Sequence, residues 1–315
     1  RSSDLPQSLE LAGPDSGARL RRGFDGIRDL GFPFRTTLML NTLDASGIGI
    51  ANPTAYRGKA VLKYALDRGA PRSADHDFTP ESSWFVSLPS PLDWRQLSFS
   101  LSCAGSGEEK RNFSVELEKW PESGLLRELS GRKYIMPPDP HIRWRGPADL
   151  SVKLYGGYDA ESLALNVIVR DDRHFNRHRG KEIWNGDCLQ LAVHPHVVMR
   201  EDAQGDGYSP KDTELMLALT EYGTELAVSH GTLTGLQENR DYSVTRDDAA
   251  GTTQYRIRLP RKALGLAAPG KIFGFSMVVF DDDDGTGQSF CCQMSGGIIG
   301  AKNSAAFPLF VLMPQ

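Results

Sequence analysis

The chain has 315 residues, 39% of them hydrophobic and 24% charged, which is enough apolar material for a core and too much for disorder along the whole length. A formal net charge of −4 offers no basic face for nucleic acid or an anionic membrane surface, and no apolar run approaches the roughly 20 residues that span a bilayer. Glycine (32) and proline (19) favour short strands joined by turns over a helical bundle, and the length suggests two domains. The chain starts at Arg1, with neither an initiator Met nor an apolar leader, and reads as a mature or excised piece.

Residues 1–34 carry Ser, Gly, Pro and mixed charge without periodicity and read as a linker or extended arm. From Arg35 the pattern changes to short runs with apolar residues at alternate positions: RTTLMLNTL (35–43), KAVLKYAL (59–66), SWFVSL (83–88), QLSFSLSC (96–103) and NFSVELEKW (112–120). A period of two marks half-buried strands, and the turn-forming stretches between them suggest an immunoglobulin-like antiparallel sandwich over 35–136. Pro137, Pro138 and Pro140 then remove the donors that a central strand needs, which places a boundary there. Strand patterns resume at 150–159, 162–172, 187–195, 213–223, 253–260, 272–282 and 307–312, with RKALGL (261–266) the one helix-like turn. The predicted architecture is all-β, two antiparallel β-sandwiches in tandem, the second over 137–315.

The chemistry-bearing residues are few. No G-x-S-x-G, H-E-x-x-H, phosphate loop or dinucleotide fingerprint occurs. Asp171, Asp172, Glu182 and Asp187 are the best source of a glycosidase carboxylate pair, and they read equally well as a strand-end loop. His174 and His178 stand four apart and His194 and His196 two apart; each pair has the spacing of metal ligands or of an ordinary polar segment. Cys103 and Cys188 are distant, and Cys291 and Cys292 point to opposite faces of a strand, so free thiols are the simpler reading. Four consecutive acids, Asp281, Asp282, Asp283 and Asp284, precede Gly285 and fit either a calcium loop or a solvated turn. Asp202, Asp206 and Asp212 form a second, weaker candidate for calcium. Trp184, at a loop-to-strand junction among polar neighbours, is placed either to stack on a sugar ring or to close one sandwich edge.

Seven segments in order give these residues a context: WRGPADLS (144–151), LALNVIVRDDRHF (163–175), EIWNGDCLQLAV (182–193), ELMLALTEYG (214–223), YRIRLPRKALGL (255–266), FGFSMVVFDDDDGTG (273–287) and GGIIGAKNSAAFPLFVL (296–312). Over residues 144–312 the chain resembles carbohydrate-binding module family 9, within the DOMON-like group of β-sandwiches. The resemblance implies that Trp184 stacks on a sugar, that Gln190 bonds a hydroxyl with Asn185, Asp187, Lys302 and Asn303 beside it, and that Asp281 to Asp284 hold structural calcium. The position expected to carry a second stacking Trp is Ala301, which removes half of the aromatic clamp. More loosely, NPTAYRGKAVLKYAL (52–66) resembles the strand entry of immunoglobulin-like spacers in polysaccharide-degrading enzymes.

What the resemblance implies is a non-catalytic glycan-binding accessory region of an extracellular, periplasmic or cell-surface carbohydrate-active protein, whose partners are a polysaccharide and a catalytic domain or partner chain. Two other readings stay open: a structural module packing against such a partner, favoured by Ala301, and a part of a glycoside hydrolase. Haem binding, known among DOMON relatives, would draw on Met216, Met277 and His194.

Overall fold

The computed structural model describes residues 21–23, 32–137, 144–200 and 207–314. Of the arm expected over 1–34, most lies outside the described residues; Arg21–Gly23 forms a short strand, β1. The first unit continues with β2 (Arg35–Leu40), β3 (Ser46–Ala51), β4 (Gly58–Leu66), β5 (Arg72–Phe78), β6 (Ser83–Ser87), β7 (Gln96–Cys103) and β8 (Glu108–Ser114). Then follow β9 (Leu117–Lys119), β10 (Ser123–Leu129), β11 (Ile135–Met136), β12 (Leu150–Tyr158), β13 (Ser162–Asp171), β14 (Cys188–His194) and β15 (Val197–Arg200). The chain ends with β16 (Thr213–Thr220), β17 (Gly223–His230), β18 (Tyr242–Asp247), β19 (Thr252–Pro260), β20 (Ile272–Asp281), β21 (Phe290–Gln293) and β22 (Leu309–Val311). Among the described residues seventeen strand ladders run antiparallel, and the all-β reading holds.

By compactness the chain forms two units. The described residues of the first are those of 21–117 together with 197–200, and of the second those of 118–196 and 207–314. The expected break at the proline cluster therefore comes about twenty positions late, and residues 138–143 of it lie outside the described residues. The reason is pairing: Ser123–Leu129 aligns along β12, with Ser123 opposite Gly157 and Leu129 opposite Val152, so it belongs to the second unit's sheet.

In the first unit one sheet runs β1-β8-β7-β4-β5 and the other β15-β2-β3-β6. Two strands here escape the alternation rule. The segment 72–78 pairs with β4 although its residues are mostly polar, because it is a sheet edge and only Phe78 needs burying. SGIGIA forms β3, whose Gly47 lies so close beneath the Phe85 ring that a Cβ would meet it at 2.5 Å. The run 112–120 is broken at Val115 and Glu116 rather than continuous.

The second unit packs a five-stranded sheet, β10-β12-β13-β19-β18, against a larger one ordered β11-β21-β20-β14-β16-β17. Alternate residues of both face inward and build one core: Val152 and Leu154, Leu165 and Val167, and Tyr255 and Ile257 from the first sheet, Leu189 and Leu191, Leu215 and Leu217, and Phe275 and Met277 from the second. Residues 261–265 make a turn, closed by the Leu264 N–H on the Pro260 carbonyl.

Candidate functional site

Two places in the second unit concentrate polar chemistry, and strand parity decides which residue belongs to which. Along β13 the inward positions are Leu163, Leu165, Val167 and Val169, and the next in phase is Asp171. Along β20 the inward series ends on Asp281, and ahead of β14 the residue in phase with Leu189 is Asp187. Three carboxylates from two sheets thus cap one end of the core. All three are buried, and neither oxygen of Asp281, which is 1% exposed, has a hydrogen-bond partner among the described residues.

Burial and mutual repulsion raise these acids together. Asp281 is pushed up to about 9 by burial and by Asp171. Asp171 is raised to about 7 by burial, against the opposing Arg173 N–H and Arg246 guanidinium. Burial, with Asp171 and Asp281 beside it, also holds the Asp187 carboxyl well above the usual range. Arg246 Nη1 lies 3.3 Å from Asp171 Oδ2, one cation among the three acids. Asp171, His174 and Asp187 offer ligand atoms within 4.8 Å of one another. The His174 Nε2 already faces the Leu219 carbonyl at 2.8 Å, and burial lowers the pKa of this ring. The remaining donors are hard carboxylate oxygens, which suit a hard cation such as calcium.

The four consecutive acids take different partners. Asp281 repels Asp187 and is itself repelled by Asp171, whereas Asp283 sits with Asp149 and Asp172 around Arg145, at 3.4, 2.6 and 3.1 Å from Nη2, near enough to raise Asp171 and Asp281 as well. Asp282 Oδ1 accepts the Gly285 N–H at 2.8 Å, and Asp284 accepts the Thr286 N–H and hydroxyl, so these two shape the turn. Asp171 and Asp149 carry the same signal as Asp281 in the sequence: an acid in phase with, or just ahead of, a buried apolar series.

The second place is the outer face of the larger sheet. Register puts Met216, Gln190, Val278 and Gln293 in one row and Ala218, Cys188, Phe280 and Cys291 in the next. The 3-10 turn Gly180–Asn185 buries Ile183 on this face and leaves Trp184 37% exposed, its ring edge-on to Phe280 with 6.4 Å between centroids. Farther along the face, Glu214 is buried and accepts from Tyr208 Oη and Ser229 Oγ, each at 2.6 Å, and from Lys302 Nζ at 2.7 Å. Burial would raise the Glu214 pKa, but Lys302, Ser229 and Tyr208 outweigh it and keep the carboxylate charged. Sequence reasoning missed Tyr208, Glu214 and Gln293; a lone acid in phase with Met216 and Ala218 in TELMLALT was the available signal.

The sugar residues expected from sequence therefore divide. Trp184, Gln190 and Lys302 share the outer face. Asp187 does not: it is three positions from Gln190, so it points inward, where it accepts the Phe175 N–H at 2.6 Å. Asn303 spends its carbonyl oxygen on the Ala305 N–H as a cap, and Asn185 lies against Gly287. Ala301 is exposed. Elsewhere, Glu182 and Asp172 are exposed and His178 stays in the loop, its N–H on Asn176. His194 Nδ1 contacts Asp212 at 2.6 Å, while Asp202 and Asp206 lie outside the described residues. Met277 is in the inner core and Met216 on the outer face, so they do not converge with His194 on one site. The four cysteines are free thiols.

No protein-family model and no curated protein matches the chain. Among solved structures it is similar to a carbohydrate binding module family 9 from Caldicellulosiruptor kristjanssonii in complex with cellotriose, at 13% identity over 62% of this chain and 83% of that one, TM-score 0.43. It is likewise similar to a family 9 module from the same organism in complex with glucose, at 11% identity over 63% and 95%, TM-score 0.45. What this chain binds is decided by its own side chains.

Proposed function

We propose that the second unit is a non-catalytic glycan-binding module, with Trp184 as its stacking platform and calcium as its structural ion. The observation that carries the reading is Trp184, an exposed indole standing on an otherwise covered sheet face beside the Gln190 row. Indole faces stack on the apolar side of a pyranose, and planar amides bond its hydroxyls. Asn185 is the amide next to Trp184 in the chain, and Lys302 lies farther along the same face. The acids that would serve a hydrolase, Asp171 and Asp187, are buried together at one end of the core with ligand atoms within 4.8 Å of one another, which favours a metal-holding role over contact with substrate.

Calcium would be held by Asp171 and Asp187, which offer oxygens within 4.8 Å of one another, and there it would neutralise excess buried charge to which Asp281 also contributes. An extracellular or periplasmic setting beside a catalytic domain accords with such a role.

Calorimetric titration with a glycan panel tests the platform, with cellotriose, the ligand of one neighbour, as the first probe. Trp184→Ala is expected to weaken binding at least about tenfold, or about 1.4 kcal/mol. Equal affinity for wild type and variant, or no binding to any glycan, overturns the reading.

A further inference from the structure

The outer face of the other sheet carries a cleft that Trp184 does not reach. Its volume is about 520 Å³, and its walls come from β10, β12, β13, β19 and the residues leading into β18. Small side chains open the floor: Ser123, Gly157 and Ala164 stand in one row across three strands. The row beside it aligns Tyr155, Asn166, Arg256 and Ser243 across four strands. The lining mixes charged and amide side chains (Asn166, Arg240, Arg256, Arg258) with the ring of Tyr155, a combination that suits a sugar ligand.

We propose that this cleft is a second glycan site, selective for acidic oligosaccharides that carry uronic acid, and independent of Trp184. Charge supplies the first argument. Arg240 is neutralised by Asp241, 2.6 Å away, and Arg258 by Asp159 at 2.9 Å. Arg256 has no carboxylate partner among the described residues; its Nη2 donates to Gln254 Oε1 at 3.1 Å. One uncompensated guanidinium in a cleft of a chain with net charge −4 selects for a localised anion.

Hydrogen-bond polarity is the second. Gln254 Nε2 donates to Asn166 Oδ1 at 2.7 Å, which leaves Nδ2 as the donor side of Asn166. Arg256 and Asn166 therefore both present donors, matching the acceptor-rich carboxylate of a uronate rather than a neutral hydroxyl pair. Tyr155, half-buried in the same row, gives the pyranose ring an aromatic face. Single-stranded nucleic acid would need a succession of cations along its backbone, and one free guanidinium does not provide it.

Calorimetry on the full chain with tetragalacturonate, cellotetraose and an eight-nucleotide oligothymidylate separates the cases. Tetragalacturonate is expected to bind, more weakly as salt rises, and cellotetraose to leave this cleft unoccupied. Arg256→Gln and Tyr155→Ala should each lower tetragalacturonate affinity at least about tenfold, and Trp184→Ala should leave it unchanged. Arg256 is exposed, so its variant should keep the wild-type melting temperature; if it does not, Tyr155→Ala alone decides. No tetragalacturonate binding, full affinity in both cleft variants, loss on Trp184→Ala, or preference for the oligothymidylate overturns the proposal. Failure of cellotriose to bind at Trp184 leaves this test intact, because the two sites are read by different variants.

Discussion

Asp281 shows how much a single buried group can demand. A charged carboxylate with no hydrogen bonds inside a protein costs several kcal/mol, so it takes up a proton or a cation. Without a cation the folded chain holds protons that the unfolded chain has already released: at Asp281 from its ordinary 3.8 up to about 9, and at Asp171 up to about 7. The folded state therefore binds more protons across that window, and stability falls as pH rises through it, by about 1.4 kcal/mol per pH unit for each such group. Melting in chelator is expected to occur at lower temperature at pH 8 than at pH 5.5, with added calcium raising the pH 8 value by several degrees. Asp281→Asn should remove most of the calcium response in the same scan. A calcium response that survives in the variant would place the ion elsewhere.

At the scale of one element, parity explains what could be read and what could not. Trp120 is buried among Phe273, Phe275 and Phe310, with centroids 5.1–5.5 Å away, and its Nε1 donates to the Gly157 carbonyl at 3.3 Å. Gly156 on β12 makes room for it: a Cβ there would lie 2.9 Å from the indole. Gly156→Ala is expected to destabilise the second unit by about 1–3 kcal/mol through overpacking, measured by denaturant unfolding. Gly296→Ala, where nothing lies within 4 Å of the new Cβ, should be near neutral and serves as the control. The same period of two made β13, β14 and β20 legible in the sequence. It also places Asp187, three residues from Gln190, on the opposite face, inside the core rather than on the sugar-facing side.

At the scale of the whole chain, the least legible feature is the strand Val197–Arg200. It follows β14 directly, yet it pairs with β2 of the first unit, Val197 opposite Leu40 and Arg200 opposite Thr37. It covers the edge of a sheet that would otherwise expose unpaired N–H and C=O groups. Replacing 197–204 with a Gly/Ser linker is therefore expected to speed hydrogen exchange of the β2 amides about tenfold or more, with the β13 amides unaffected. Unchanged β2 exchange would show that the pairing contributes nothing to the first unit. Local alternation could not reveal this strand's partner, because pairing across about 160 positions is decided by which edge is free, and no short window contains that edge.

The sequence by itself determined the all-β class and most strands of the second unit, since these follow from local periodicity and the flanking residues, whereas the exposure of Trp184 was left open by the sequence and decided by the fold. The tertiary structure alone decided which acids meet. Asp171 and Asp281 end strands of different sheets and Asp187 immediately precedes β14, and only the packing of one sheet on the other brings Asp171 close enough to raise the other two. It likewise decided that Arg258 meets Asp159 from about 100 positions away while Arg256 meets no acid among the described residues; only Arg240, whose partner is the adjacent Asp241, finds its acid within the local sequence.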